Sequence, residues 1–206
     1  MKYIIMADGK ATRWQDYLGV PKHLIEIKGE AILERTVRLL RENGVEDIVI
    51  TSHDERYNYA PRYEPIGNEY EIDKFNRELM DDNVCYVYGD VYFSEDAIKK
   101  IANCETDTFL FFGRHASSLN KTGKQWEEIF AIKAGKADYL REGCAFIREG
   151  LIEGSVWRGG AWELYRKMVG LPLSKNELKG NFETIDDETE DFDFPEDYDR
   201  WMEING

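Results

Sequence analysis

Apolar positions in the first half of the chain alternate between two rhythms. Tyr3-Ile4-Ile5-Met6 and Ile48-Val49-Ile50-Thr51 are short unbroken runs, the pattern of strands buried on both faces. Between them Ile32, Leu33, Val37, Leu39 and Leu40 recur at helical spacing. This predicts a helix over 31–43, which Asn43-Gly44 stops as a left-handed cap. Leu24 to Ile27 reads as a short extended piece ahead of it. A helix over 71–81, a strand over 84–88, a helix over 95–102 and a strand over 108–112 continue the alternation. Residues 54–70, rich in Tyr, Pro and charge, read as an ordered irregular loop near the mouth of the fold.

Beyond residue 113 the rhythm loosens. Residues 128–133 and 144–147 read as strands with connections at Gly135 and Gly143, and 162–169 as a helix. Strand–helix alternation predicts an α/β fold: a mixed, mostly parallel central sheet with helices on both faces. Ligands would sit at the carboxyl ends of its strands. No repeat, low-complexity stretch or linker interrupts the 206 residues, so the whole of 1–206 is expected to form one domain.

Composition narrows the class. With 42% hydrophobic and 33% charged residues the chain reads as a cytoplasmic globule, without a membrane span or an N-terminal targeting segment. Cys85, Cys104 and Cys144 are too scattered for a disulfide framework, and His23, His53 and His115 for a zinc site. A net charge of −14 argues against nucleic acid or an anionic membrane as partner. Ten acidic residues lie between 186 and 203 with Arg200 as their sole basic neighbour. A polyphosphate bound nearby would need a divalent cation between itself and these acids; most of them read as a solvated face.

The chemistry concentrates after the first strand, in Met6-Ala7-Asp8-Gly9-Lys10-Ala11-Thr12-Arg13 followed by Pro21-Lys22. A strand that breaks into a glycine-bearing loop presents backbone N–H groups to an anion. Arg13 adds a planar fork suited to phosphate oxygens, and Lys22 a point charge behind a stiff proline. No G-x-x-x-x-G-K-[ST] sequence is present, so the cradle is not a Walker loop.

The segment resembles the signature of the nucleotidyltransferases that make NDP-sugars and related activated alcohols, roughly L-A-A-G-x-G-T-R, a variable loop, then P-K. It matches at Ala7, Gly9, Thr12, Arg13, Pro21 and Lys22 and continues in the same manner through Leu24 to Arg35. It departs at Asp8, where the pattern has a small residue, and at Ala11, which replaces the second glycine and disfavours a positive φ. The resemblance implies the Rossmann-like nucleotide-diphospho-sugar transferase fold with a small substrate lobe. Residues 1–112 would form the nucleotide-binding half and 113–206 the acceptor half, with short extra strands over the site. Nucleotide contacts would fall on Ala7, Asp8, Gly9, Lys10, Ala11, Thr12, Arg13, Lys22 and Gly89, and Arg13 and Lys22 would act in catalysis.

Gly89-Asp90 follows a predicted strand, and in the resembling family a Gly-Asp there supplies a carboxylate to Mg²⁺. Asp193-Phe194-Pro195-Glu196-Asp197-Tyr198 resembles a D-x-P-E-D-[LY] element of cytidylyl- and related transferases, in which the first Asp completes the metal site and the rest opens a final helix. The metal pair would then be Asp90 and Asp193, with Asp186, Asp187 and Asp191 as nearby alternatives. Substrates implied are an NTP, with a lean to CTP, and a phosphorylated acceptor such as a sugar 1-phosphate, phosphocholine or another phospho-alcohol. Trp126, Glu128, Lys133, Trp157 and Arg158 are the candidate acceptor contacts, and a homodimer is left open. Two rival readings are a metal-dependent glycosyltransferase using an NDP-sugar and a non-catalytic nucleotide-binding regulator.

Overall fold

In the computed structural model, which describes residues 1–15, 17–67, 69–115, 121–124 and 126–206, the predicted alternation is present through the first half. Its elements are β1 (Lys2–Met6), β2 (Glu26–Ile27), β3 (Glu30–Ala31), α1 (Ile32–Glu42), β4 (Ile48–Thr51), β5 (Arg62–Tyr63), β6 (Val84–Tyr88), β7 (Val91–Tyr92), α2 (Glu95–Asn103) and β8 (Phe109–Arg114). The second half adds β9 (Glu128–Ala134), α3 (Ala137–Glu153), α4 (Ala161–Met168), β10 (Phe182–Thr184), β11 (Glu190–Asp191) and α5 (Pro195–Asn205).

Seven strands form one sheet in the order β10-β8-β9-β6-β1-β4-β5. All neighbours are parallel except β9, which runs antiparallel to both β6 and β8. Alternate residues of β1 serve opposite layers, as a strand's two-residue period requires. Tyr3 and Ile5 join a core with Leu33, Val37 and Leu40 of α1 and Ile98 and Ile101 of α2. Ile4 and Met6 join a second core with Leu140, Cys144 and Ile147 of α3 and Leu164 and Tyr165 of α4. Met6 sits opposite both Thr51 and Tyr88, so β1, β4 and β6 end together and release their loops along one edge.

A third core builds the roof of that edge: Trp14, Ile25, Ile27, Ile32, Tyr92, Phe192 and Trp201. Trp14 is fully buried, donates from Nε1 to the Val20 carbonyl at 2.9 Å, and meets Tyr198 edge-on. The loop after β1 is therefore pinned against the C-terminal segment. Among the described residues no helix is long and apolar enough to cross a membrane.

Three local expectations fail. Residues 144–147 lie inside α3, whose buried positions Ala137, Leu140, Cys144 and Ile147 follow helical spacing. Gly143 is not a connection but the point where α4 presses on α3: a Cβ there would stand 2.7 Å from Leu164 Cδ1. Over 71–81 only a 3₁₀ turn forms, Glu71–Lys74. Asn76 draws the chain out of helix, its Oδ1 accepting from Glu78 N at 2.9 Å and its carbonyl from Tyr86 Oη at 2.8 Å. The C-terminal acids are not mainly a solvated face. Glu190 and Asp197 are buried, and Asp187 accepts from Ser94 Oγ at 2.6 Å.

Candidate active site

The loop after β1 opens into a cavity of about 280 Å³ lined on that side by Gly9, Lys10, Ala11, Thr12 and Arg13. Its floor is Lys22, Asp90 and Asp193, and its far wall comes from the second half, including Glu128, Arg158 and the start of α4. Ala7 and Asp8 are nucleotide contacts expected from sequence that lie beneath the cavity rather than in its wall. Ala7 is buried, its N–H donating to the Thr51 carbonyl at 3.0 Å. Asp8 turns toward β4, where Oδ1 accepts from Thr51 Oγ1 at 3.2 Å. Burial raises the pKa of Asp8, an effect that Thr51 and Lys74 only partly oppose. Ala11 takes the left-handed backbone (φ 46°) that a glycine in this position would take freely.

Two backbone devices bring Asp90 and Asp193 together. Gly89 N donates to the Met6 carbonyl at 2.9 Å, which places Asp90 beside the end of β1. Glycine is required there, because a Cβ would stand 2.8 Å from that same carbonyl oxygen. β11 then pairs antiparallel with β7, Asp191 opposite Val91, and Phe192 N donates to the Asp90 carbonyl at 3.2 Å. Asp193 therefore leaves the ribbon next to Asp90.

Lys22 Nζ is ion-paired with Asp90 and lies 3.7 Å from Asp193 Oδ1, while Arg13 reaches Asp193 Oδ2 at 2.9 Å. Burial works against the Lys22 ammonium, but Asp90 and Asp193 outweigh it and raise its pKa. Burial likewise works against the Asp90 carboxylate, and Lys22, His23 and Lys74 together hold it well below the usual range. Burial and the neighbouring Asp191 raise Asp193. Both carboxylates thus converge on one cation, the arrangement a hard divalent ion would use. Among the described residues no cluster of three or more His, Cys, Asp or Glu side chains would hold a metal alone. Two carboxylates with substrate phosphates and water to complete the shell are what Mg²⁺ commonly takes, so the residues fit that ion.

The acceptor-side expectations divide. Glu128 and Arg158 line the cavity. Trp157 is 97% exposed and outside it; Trp126 is also outside, its ring 5.6 Å from Lys124 Nζ. Lys133 does not line the cavity. It is buried and donates to the carbonyls of Ile101 (2.6 Å) and Cys104 (2.7 Å) at the end of α2. Sequence reasoning missed Glu71, Lys74, Tyr88, Trp162, Glu163 and Arg166, which also line the cavity. None carries a local motif; Glu163 and Arg166, an ion pair at i,i+3 on α4, offered the one readable hint. Also missed was Lys124, buried and paired with Glu128 at 2.8 Å and with Asp191, which ties the far wall to the β7–β11 ribbon.

A cationic loop at the end of β1, facing carboxylates beyond β6 and in a C-terminal ribbon, places the protein with the Rossmann-like nucleotidyltransferases. The model of the MobA-like NTP transferase domain matches residues 3–111, and the chain belongs to that family. It is 36% identical over 70 residues to the bifunctional IPC transferase and DIPP synthase of Thermococcus kodakarensis, a match covering 34% of this chain but 15% of that protein. Its fold is similar to that of the CTP:phosphocholine cytidylyltransferase of Streptococcus pneumoniae, with a TM-score of 0.61, 17% identity and coverage of 100% of this chain and 99% of the other. The inositol-1-phosphate CTP transferase of T. maritima is also similar, with a TM-score of 0.58, 13% identity and coverage of 98% and 95%.

Proposed function

We propose that the chain is an Mg²⁺-dependent nucleotidyltransferase. It transfers NMP, by preference CMP, from an NTP to a sugar phosphate or phospho-alcohol, releases pyrophosphate, and feeds surface-glycan or headgroup synthesis. The observation that carries the reading is the convergence of Arg13, Lys22, Asp90 and Asp193 on one cavity under the glycine-bearing loop. The cytidylyl preference rests on the relatives, two of which are CTP enzymes by name.

In this reading the loop N–H groups and Arg13 bind the β- and γ-phosphates. Lys22 neutralises the α-phosphate and the incoming acceptor phosphate, whose oxygen attacks the α-phosphorus in line as the bond to pyrophosphate breaks. The acceptor oxygen is already ionised at neutral pH, so no side chain has to remove its proton. Asp90 and Asp193 would hold Mg²⁺, which when bound supplies positive charge to the α-phosphate oxygens. The protein's own share is alignment of two anions and cancellation of their repulsion.

Pyrophosphate release tests this with purified protein, Mg²⁺, each of the four NTPs and a panel of phosphocholine, inositol 1-phosphate and glucose 1-phosphate. Arg13→Ala and Lys22→Ala should each lower turnover by at least ~100-fold with an unchanged circular dichroism spectrum. Turnover like that of the wild type in both variants would overturn the assignment. Asp90→Asn separates enzyme from regulator: it should abolish turnover, whereas a regulator would keep most of its nucleotide affinity.

A further inference from the structure

The transfer brings two anions into one cavity, and most of the cavity's cations are already matched to carboxylates. Lys22 is taken by Asp90 and Asp193, Arg13 by Asp193, and Arg166 by Glu163 at 3.3 Å. Among the described residues, the lining cations with no carboxylate within 4.0 Å are Lys10, Lys74 and Arg158. Lys10 belongs to the loop after β1 and so to the triphosphate. Lys74 and Arg158 come from outside that loop.

Lys74 ends the 3₁₀ turn that Asp73 fixes, with Asp73 Oδ2 accepting from Tyr70 N at 3.1 Å and Oδ1 from Arg148 at 2.9 Å. The turn is therefore held from two sides, and its half-buried lysine is aimed rather than loose. Its Nζ lies 3.5 Å from where a Cβ on Gly9 would stand, at the border between the phosphate loop and the far wall. Glu71, on the same turn, reaches that wall: its carboxylate is 3.3 Å from where a Cβ on Gly160 would stand. The turn thus spans from donor loop to acceptor wall, with its one ammonium at the boundary. The charge of Lys74 acts on Asp8, Glu71 and Asp90 without pairing to any of them. A lysine in that position meets an anion arriving opposite the triphosphate.

We propose that Lys74, with Arg158 across the cavity, receives the phosphate monoester of the acceptor, the role that the buried Lys133 cannot fill. This rests on the nucleotidyltransferase reading above and adds a specificity-determining residue to it. The acceptor class follows from the chemistry: a dianionic phosphate monoester, its phosphate held between Lys74 and the floor lysine. A neutral alcohol would leave Lys74 facing the cavity with no directly paired anion, only the more distant carboxylates of Asp8, Glu71 and Asp90.

Steady-state pyrophosphate release by the full chain, under the panel of NTPs and acceptors above, gives the test. Lys74→Met keeps the aliphatic stem and removes the charge. It should raise KM for the acceptor by at least ~10-fold, the scale of one charge-assisted phosphate contact, and leave KM for the NTP within ~2-fold. Lys74→Arg should recover most of the acceptor KM, which separates the lost charge from a disturbed turn. Equal KM values in the wild type and Lys74→Met, or a rise confined to the NTP, would overturn the proposal. So would wild-type transfer to a neutral alcohol as efficient as to its phosphate ester. Failure of the underlying reading looks different: the wild type would then release no pyrophosphate from any NTP with any of the acceptors, and the role of Lys74 would fall with it.

Discussion

His23 follows Lys22 in sequence and is buried, its Nδ1 3.0 Å from Tyr57 Oη and its Cδ2 3.2 Å from where a Cβ on Gly89 would stand. Burial, despite the opposing charge of Asp90, lowers its pKa to about 4 from the ordinary 6.5. The imidazole is thus neutral in the fold at pH values where the unfolded chain already binds the proton. The unfolded state binds more protons between pH 6.5 and 4, so stability falls as pH drops through that window and levels off below it. Over the whole window the loss from this group is on the order of 3 kcal/mol. Urea denaturation of wild type and His23→Gln at several pH values isolates it: the difference in stability between the two should shift against the wild type by about 3 kcal/mol between pH 6.5 and 4. A constant difference would mean that His23 titrates normally. Residues of this kind are hidden in a sequence. Arg13, Lys22 and Asp90 were legible as candidates because they follow predicted strands within a motif that resembles the family's, and Asp193 only through the likeness of 193–198 to a D-x-P-E-D-[LY] element. Lys74 and Glu71 were not, since only the packing of a distant turn brings them to the same cavity.

At the level of elements the strands of the first half were the most readable part, because strands buried on both faces are continuous apolar runs. Failures came where local and tertiary demands diverge. Cys144-Ala145-Phe146-Ile147 looks like such a run, yet it belongs to a helix whose Gly143 allows α4 to approach. Lys133 at a strand's end looked like a substrate contact, and instead it closes α2. Its ammonium satisfies carbonyls that the last turn of that helix leaves without partners, and it sits at the negative end of the helix dipole. Lys133→Met should therefore cost on the order of 2 kcal/mol, a fall of several degrees in Tm, and leave the acceptor KM unchanged. A raised acceptor KM without loss of stability would return Lys133 to the site.

Across the whole molecule, the C-terminal segment completes a site begun at the N-terminus. Trp14 and Trp201 share one core, β11 pairs with β7, and Arg13 and Lys22 meet Asp193. Behind them Arg114 and Lys124 neutralise Glu190 and Asp191 in a network almost closed to solvent. Breaking one partner of such a pair leaves a buried charge uncompensated, which is far more costly than losing a surface pair. Under the proposed function, the cation expected between a polyphosphate and the acidic stretch would be held by Asp90 and Asp193. The most direct test is a thermal-shift series with ATP, CTP, GTP and UTP, each with Mg²⁺ and with EDTA. A nucleotide at ~100 times its Kd adds about 2.7 kcal/mol, a shift of several degrees for a chain of this size. The account predicts such a shift with at least one NTP, largest with CTP, lost in EDTA and in Asp90→Asn. No shift with any NTP in Mg²⁺, or one that EDTA leaves intact, would contradict it.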